Sequence, residues 1–388
     1  MNNMKSPTAQ ERVTLADIAH RCGVSKGTVS KALRGCVEIS PDRAEFIRAT
    51  AQAMGYDPSL SLEGHRLAAR RHGRRIINQQ LAVFLPAYFY RANYFNMIYS
   101  GIMDVVTPEN YGLLTIALPD TRVDERTPAF PHSINRGEVD GIIVIGEMAH
   151  RQSALEALSS LPIFPSLCIA SLINPAYDFP AVLADEVAGG RQAVNHLLDL
   201  GHADILLLYD VVNLDVHHRR IQGMKAALTE RGVDPEVHLH VLHLPINPAL
   251  PYHLDALRDC RQHDRRPHED VIQYLRQHPE ITAVITLNDP IARRLWYLFN
   301  EVGCRVPEDI SLIGNDDSDP FLDSLGQNLL TTIQEPLVEI GQAGARLVID
   351  QVNGLPLPAL PLLLPTRLVV RHSTAPPASP ARRGALRW

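Results

Sequence analysis

Polar and apolar positions follow a helical period in residues 14–33, near the start of the chain. Side chains of one face recur there at three- and four-residue spacing in two stripes, first Leu15, Ile18 and Ala19 and then Val24, Thr28, Val29 and Ala32. Gly23 separates the stripes and supplies the positive backbone angle of a tight turn, and Ser25 is suited to cap the following helix. The pattern predicts two short helices joined as a helix-turn-helix.

A third helix is predicted to begin with Ser40 as its N-cap and Pro41 as its first residue. Its apolar face consists of Ala44, Ile47, Ala51 and Met54, and Gly55 ends it. The three helices are therefore expected to close a small all-helical core.

From Leu81 onward, short apolar runs alternate with helical patterns. The runs begin at residues 81, 112, 140, 205, 283 and 310, and helical patterns cover residues 98–106, 187–200 and 221–228. This order is typical of a doubly wound α/β fold, in which helices cover both faces of a parallel sheet. The length of the region predicts two similar lobes.

The charges of the chain are distributed unevenly. The whole chain carries a formal net charge of −6, but residues 1–75 hold 13 Lys or Arg against 7 Asp or Glu, so this part is basic and the remainder strongly acidic. A basic amino-terminal part indicates contact with phosphates, and an acidic body is repelled by them.

Other classes of protein are disfavoured by what the sequence lacks. No apolar run approaches the roughly 20 residues that span a bilayer, and the first twenty residues carry no signal-peptide pattern, so we expect a cytoplasmic protein. Five scattered cysteines predict neither a disulfide framework nor a CxxC metal pair. There is no GxSxG, GxxxxGK[ST] or HExxH motif, and we expect no enzyme and no cofactor.

Residues 13–35, with the strings ADIA, GVS and TVSKAL, and residues 53–58, AMGYDP, resemble the headpiece of LacI-family transcriptional regulators. The resemblance implies that the second helix lies in the major groove of DNA and reads bases from the positions held here by Lys26, Gly27 and Lys31. It also implies phosphate contacts by five flanking residues, which fix the register: Thr14, Ser25, Thr28, Ser30 and Arg34. For Thr14 and Ser25, helix capping is the structural alternative.

The linker after the headpiece departs from the family pattern. Family members insert a hinge-helix leucine into the minor groove, but counting from Tyr56 places His65 at that position. Leu60 and Leu67 share a helical face and Leu62 lies close by. The sequence does not decide which of the three is the wedge, and Leu60 and Leu62 are included among the candidate DNA contacts. An arginine cluster at residues 66–75 either contacts phosphates or is a solvated basic linker.

The body is similar to the effector domain of the same family, a two-lobed fold of the type I periplasmic-binding-protein kind. Strings that carry this resemblance include VDGIIVIG, RRIQGMKAAL, ITLND and RVPEDISLIGNDD. Six positions match effector contacts of the family: Tyr94, Phe95, Asp185, Arg220, Asn288 and Asp316, with Arg219 as the alternative to Arg220. Core packing is the alternative for the two aromatics, and helix capping for the acidic and amide residues.

The candidate ligand groups favour a polyhydroxylated neutral molecule such as a sugar, because carboxylates accept hydrogen bonds from hydroxyls and repel anions. Positions that often hold an aromatic residue in the family carry Glu335, Pro336 and Leu337 here, which leaves the identity of the ligand open.

Three histidines have a spacing that allows a metal site. His238, His240 and His243 form an HxHxxH pattern on a predicted strand, where the first two share a face. Neither a cysteine nor a patterned acid accompanies them, so we expect surface or half-buried histidines and no metal.

The predicted domains are a disordered start (1–11), a headpiece (12–57), a linker (58–80), a two-lobed effector and dimerisation domain (81–373) and a disordered tail (374–388). The resemblance implies a homodimeric regulator that binds a double-stranded operator and is controlled by a small-molecule effector. We expect it to act as a repressor. The alternatives are a sugar-binding receptor without a DNA role and an enzyme of sugar metabolism.

Overall fold

The chain forms two compact units, Met1–Ile76 and Ile77–Trp388. The computed structural model describes residues 13–33, 39–56, 77–86, 93–118, 131–135, 137–145, 166–170, 180–210, 215–244 and 266–378. Elements are numbered within these ranges.

The described part of the first unit consists of the helices α1 (Leu15–Cys22), α2 (Lys26–Leu33) and α3 (Pro41–Ala53). The predicted turn between α1 and α2 is confirmed, since Gly23 has a φ of 62°. Ile18, Val29 and Ile47, one from each helix, are fully buried together. Arg48 Nε also donates to the carbonyl of Ala32, 3.3 Å away, which ties the end of α2 to α3.

The second unit contains two six-stranded sheets among the described residues. One sheet is parallel throughout, with the order β11-β5-β4-β3-β1-β2, and its lobe is called the N-lobe here. Its strands are β1 (Gln80–Pro86), β2 (Gly112–Leu118), β3 (Gly141–Ile145), β4 (Ser166–Ala170), β5 (Ala181–Ala184) and β11 (Leu362–Leu364).

The sheet of the other lobe, the C-lobe, has the order β12-β10-β9-β8-β6-β7, and only β12 runs antiparallel to its neighbour. Its strands are β6 (Ile205–Asp210), β7 (Leu239–Leu244), β8 (Ala283–Ile285), β9 (Ser311–Asp316), β10 (Thr331–Gln334) and β12 (Arg367–Val369). The strand order is the same in the two lobes. The first strand of each lobe lies between its second and third strands, the fourth and fifth follow, and a three-residue strand from late in the chain lies at the edge. Only the direction of this edge strand differs between the lobes.

Helices cover the sheets because each has one apolar face. They are α4 (Asn93–Val106), α5 (His132–Asn135), α6 (Glu186–Asp199), α7 (Asp215–Glu230), α8 (Pro235–His238), α9 (Arg266–Gln277), α10 (Asp289–Glu301) and α11 (Leu337–Val352). The N-lobe core lies under α4 and α11. In the C-lobe, α6 and α7 cover one face of the sheet, and α9 and α10 cover the other. None of these helices combines the length and the apolar character that crossing a bilayer requires.

Three short connections join the lobes. The chain passes from β5 to α6 at Asp185, from β10 to α11 at 335–336, and from β11 to β12 at 365–366. The first and third are tied together, because Thr366 Oγ1 donates to the carbonyl of Asp185 and Asp185 N donates to that of Leu364. Movement of one lobe against the other must be taken up at these connections.

Glycines bring two pairs of helices into backbone contact. A Cβ on Gly190 of α6 would lie 2.1 Å from the carbonyl oxygen of Arg220, and one on Gly223 of α7 would lie 2.0 Å from that of Val187. In the N-lobe, Gly101 of α4 and Gly341 of α11 make the same reciprocal contact with the carbonyls of Val338 and Ile98. In both pairs a glycine faces the carbonyl three residues before the partner's glycine, and any larger residue would force the helices apart.

The sequence predicted most of this architecture, including the strands β1, β2, β3, β6, β8 and β9 and the helical patterns of α4, α6 and α7. It did not predict β11 and β12, which are three-residue strands in a proline-rich stretch. The packed chain also continues beyond residue 373, because the carbonyl of Ala375 accepts hydrogen bonds from Ser311 Oγ (3.0 Å) and His202 Nε2 (2.8 Å).

Candidate nucleic-acid interface and effector site

Helix α2 presents a polar outer face and a buried inner face. Val29 and Ala32 point into the core, whereas Lys26, Gly27 and Lys31 are exposed. The three positions that were predicted to read bases therefore share the surface of the helix that is open to a partner. A Cβ on Gly27 would approach only Ser25 Oγ, at 3.6 Å, so the absence of a side chain there leaves this surface flat rather than relieving a clash.

The flanking polar residues also have structural roles. Thr14 caps α1 in a capping box, in which Thr14 N donates to Asp17 Oδ2 at 2.7 Å and Asp17 N to Thr14 Oγ1 at 3.4 Å. Ser25 Oγ accepts from Thr28 N at 3.1 Å and caps α2. These hydrogen bonds stabilise the starts of α1 and α2. Contact of the same residues with phosphates stays a prediction. Ser30 is half-buried, and Arg34, Leu60 and Leu62 lie outside the described residues.

In the body, Arg220 lies at the centre of a buried polar cluster beside the connections between the lobes. Its guanidinium donates from Nε to Glu186 Oε2 (2.8 Å), from Nη1 to the carbonyl of Leu287 (2.7 Å) and from Nη2 to Glu335 Oε1 (3.3 Å). Glu186 begins α6 and Glu335 follows β10, so the arginine links residues on two of the three connections.

Further acids complete the cluster. Asn315 Nδ2 donates to Glu335 Oε1 at 2.6 Å and to Asp316 Oδ1 at 3.0 Å. Asn315 Oδ1 is buried and finds no donor among the described residues. Asp289, 2% exposed, accepts from Thr332 Oγ1 at 2.6 Å. We define the arginine–acid cluster as Arg220, Glu186, Asp289, Asn315, Asp316 and Glu335.

The cluster contains more buried carboxyls than cations. Burial raises the pKa of Glu186 to about 8, that of Glu335 to about 7 and that of Asp289 to about 8, and Arg220 offsets this only in part for the two glutamates. Burial also raises the pKa of Asp316 well above its usual value, with Asp289 adding to the effect. The neighbouring Glu335 carboxyl adds to the effect of burial on Glu186 and raises its pKa further. Near neutral pH the cluster therefore retains protons.

Arg220 itself stays charged. Burial alone would lower its pKa, but Glu186, Glu335 and Asp316 outweigh burial and raise it. A fixed cation among partly protonated acids offers both hydrogen-bond donors and acceptors to a ligand.

The backbone at the end of β9 is strained. Asp316 has a backbone φ of 105° and Asp317 one of 53°, and positive values are uncommon for residues other than glycine. Arg371 holds this turn, with Nη1 2.8 Å from Asp317 Oδ1 and Nη2 2.9 Å from Oδ2. Such strain persists where the surrounding contacts over-determine the turn, and it is often found at ligand sites.

The predicted effector residues have different environments. Tyr94, in the first turn of α4, donates its hydroxyl to Glu335 Oε2 at 3.2 Å and so connects the N-lobe to the arginine–acid cluster. Phe95 is buried in the N-lobe core and meets Tyr94 edge-on at 5.3 Å. Asp185 and Asn288 are half-buried N-caps that accept from Ala188 N and Ile291 N, each at 3.0 Å. The structure thus gathers Tyr94, Arg220 and Asp316 in one cluster.

A cavity of about 850 Å³ adjoins this cluster. Glu335 lines it together with Met97 and the segments 336–339 and 364–367, which belong to two of the connections between the lobes. Its size is within the range of small-molecule sites.

Glu186 and Glu335 were not predicted as site residues. Each stands next to a helix start, where an acid is commonly explained by the helix dipole. A signal for Glu335 was present, since it occupies a position that is often aromatic in the family that the sequence resembles. Nothing in the sequence indicated that α6 and α7 approach closely enough to pair Glu186 with Arg220.

Comparisons with known proteins agree with both halves of this description. Residues 14–59 match the model of bacterial regulatory proteins of the lacI family, and residues 194–374 match that of a periplasmic binding protein-like domain. The HTH-type transcriptional repressor CytR of Escherichia coli K12 is 26% identical over 372 residues, which cover 96% of this chain and 99% of CytR.

Solved structures show the same fold. A LacI family transcriptional regulator from Enterococcus faecium with bound ribose is 26% identical, covers 76% of this chain and 99% of its own, and has a TM-score of 0.56. The lac repressor dimer bound to operator and an anti-inducer is 20% identical and has a TM-score of 0.60, and the match covers 94% of this chain and 100% of the repressor chain.

The buried ion pair should show strong energetic coupling in a double-mutant cycle. Arg220→Ile alone leaves buried acids without their cation and is expected to cost about 3–5 kcal/mol of unfolding free energy. Adding Glu186→Leu, an apolar residue that packs against isoleucine, should recover at least about 1 kcal/mol. Urea unfolding followed by the fluorescence of Trp296, in the C-lobe, measures each variant. Additive losses would mean that the two residues do not act as a pair.

Stability should fall as the pH rises from about 4.5 to about 7, because Glu335 keeps its proton in the folded protein and releases it earlier when unfolded. When the pKa of an acid is higher in the folded than in the unfolded protein, its contribution to stability is complete at pH values below the unfolded pKa. The contribution is lost as the pH rises to the folded pKa. Glu335→Gln removes the titration, so between pH 5 and pH 8 it should lose less stability than the wild type, by about 1–3 kcal/mol. Glu339→Gln, at an exposed position nearby, is the control. Parallel curves for wild type and Glu335→Gln would contradict the prediction.

Proposed function

The chain belongs to the lacI family of bacterial regulatory proteins and is a DNA-binding transcriptional regulator, and from this premise we propose that it is a cytoplasmic, homodimeric repressor released from its operator by a neutral polyhydroxylated effector. The proposal depends above all on the arginine–acid cluster, in which the buried guanidinium of Arg220 is bonded to Glu186 and Glu335 and also interacts with Asp316.

The charge and shape of α2 support operator binding. Lys26 and Lys31 project from its exposed face, where each ammonium can reach guanine O6 or N7 in the major groove. A lysine cannot form the planar two-point contact of an arginine, and Gly27 offers no side chain, so direct readout rests on few contacts. Thr14, Ser25, Thr28, Ser30 and Arg34 are proposed to bind phosphates, and Leu60 or Leu62 to enter the minor groove.

The excess of buried acid supports an uncharged effector. An anionic ligand would need a cation of its own in the cluster, and the guanidinium of Arg220 is already bonded to Glu186 and Glu335. Hydroxyl groups, in contrast, can donate to carboxylates and to Asn315 Oδ1 and accept from Arg220 or from a protonated carboxyl. We propose Tyr94, Arg220, Asn288 and Asp316 as contacts, with Asp185 holding the start of α6; Phe95 would act only by supporting Tyr94 from the core.

The position of the cluster supports a route from ligand to DNA. Glu186 and Glu335 lie on connections between the lobes, and Tyr94 reaches Glu335 from the other lobe. A ligand that exchanges partners with these groups would favour one angle between the lobes. It would shift the equilibrium only as far as its affinities for the two arrangements differ. In a dimer, this angle would set the spacing of two headpieces on a near-palindromic operator.

The alternatives receive less support. A receptor without a DNA role does not explain the lacI-family match at residues 14–59, and the relative covered over its full length is a transcriptional repressor, not an enzyme. An effector that acts as a co-repressor would use the same contacts as one that releases the operator. The two are distinguished by whether the effector strengthens or weakens operator binding.

The Lys31→Ala variant should lose specific binding far more than non-specific binding, because the lysine is proposed to contact a base edge. Operator fragments from the protein's own genomic neighbourhood and random DNA would be compared by gel shift at fixed salt, with a specific loss of about 1–3 kcal/mol expected. Lys225→Ala removes the same charge from the body and is the control. Equal losses on both DNAs would assign Lys31 to phosphate contact only.

A thermal-shift screen tests the effector. Neutral sugars should include a compound that raises the melting temperature, and the corresponding sugar phosphates or sugar acids should be inactive, because a ligand stabilises the state that it binds. Asp316→Asn should abolish the shift, whereas Asp350→Asn on α11 should not. The active compound should then release the operator in the gel shift. Stabilisation by anions alone would overturn the proposed ligand class.

A further inference from the structure

Three side chains from separate parts of the C-lobe gather at the end of its sheet opposite the arginine–acid cluster. His240 is near the start of β7, and His278 and Glu280 lie between α9 and β8. Each offers one ligand atom, and these atoms lie within 4.8 Å of one another. In the sheet, β6 stands between β7 and β8, so the amino ends of three neighbouring strands bring these residues together.

We propose that His240, His278 and Glu280 bind a divalent transition-metal ion of the Zn²⁺ class. Two imidazoles and one carboxylate form a donor set that zinc commonly takes in proteins, with water completing a tetrahedral shell. Mg²⁺ prefers oxygen ligands and is not expected to bind.

The distances leave a small adjustment for binding. Zinc bonds of about 2.0–2.1 Å in a tetrahedral shell hold ligand atoms about 3.3 Å apart. His278 Nδ1 and Glu280 Oε1 are already 3.0 Å apart. His240 therefore has to approach this pair by about 1–2 Å, which side-chain rotation can supply.

A second carboxylate orients the first histidine. Asp204, directly before β6, has its Oδ1 3.4 Å from His240 Nε2 and 3.0 Å from His238 Nδ1. A carboxylate that accepts from one ring nitrogen of histidine directs the other nitrogen to a metal, and this arrangement surrounds many metal ligands. Asp204 is thus a positioning residue.

The site is also open to solvent. The side chains of His240, His278 and Glu280 are 14%, 35% and 45% exposed, so an ion and a water molecule can reach them.

Titration of Zn²⁺ into the full-length, tag-free, metal-stripped protein at pH 7.5, followed by calorimetry, tests the site. The wild type should bind one ion per chain at this site, and His240→Ala and Glu280→Gln should each weaken that binding at least tenfold. Asp204→Asn should weaken it about tenfold, as expected for a residue that orients a ligand.

His243→Ala is the matched control, because His243 is exposed on the same strand but an odd number of residues from His240, and so on the opposite face. Mg²⁺ is the control ion. Melting temperatures without metal verify that each variant folds, and Glu280→Gln, at a partly exposed position, keeps the test valid should His240→Ala fail to fold. Unchanged Zn²⁺ affinity in Glu280→Gln, or an equal loss in His243→Ala, would overturn the proposal.

Discussion

The close approach of α6 and α7 at Gly190 and Gly223 is the constraint on which the candidate effector site depends. A carbonyl oxygen of each helix occupies the space where the other's Cβ would stand. Because Glu186 lies one turn before Gly190, and Arg220 one turn before Gly223, this contact brings the carboxylate and the guanidinium together away from water. A larger side chain at either glycine would separate the charges and leave both buried without a partner.

The resulting charge balance would allow the proposed effector site to be both stable and responsive to a ligand. A single guanidinium cannot compensate all the surrounding carboxyls, so protons remain on some of them, and the cluster is held by bonds that a ligand or a change of pH can rearrange. Glu186 and Glu335 stand at the connections between the lobes, so in the proposed mechanism a rearrangement of their bonds would act on the angle between the lobes. The acids further from the connections, such as Asp289, are instead fixed by hydrogen bonds within the C-lobe.

The sequence predicted what is local and missed what depends on packing. The headpiece helices, the Gly23 turn and the strand at 112–118 follow from periodicity and turn chemistry, and Arg220 followed from a family motif. Glu186 and Glu335 were missed because only the tertiary fold assembles them around Arg220. The strand predicted for the three spaced histidines was wrong for His238, which ends α8, and the fold places His240 beside His278 and Glu280, 38 and 40 positions away.

The reciprocal glycine contacts in the two lobes suggest an origin by duplication of an ancestral half-molecule. Counting back from the glycines, Arg220 corresponds to Ile98 and Glu186 to Leu337, and this second pair is fully buried in the N-lobe core. The same helix crossing thus holds an apolar pair in one copy and an ion pair in the other. A half-molecule used twice can therefore keep one copy of a crossing for packing alone and leave the other free to carry the charges of the candidate effector site.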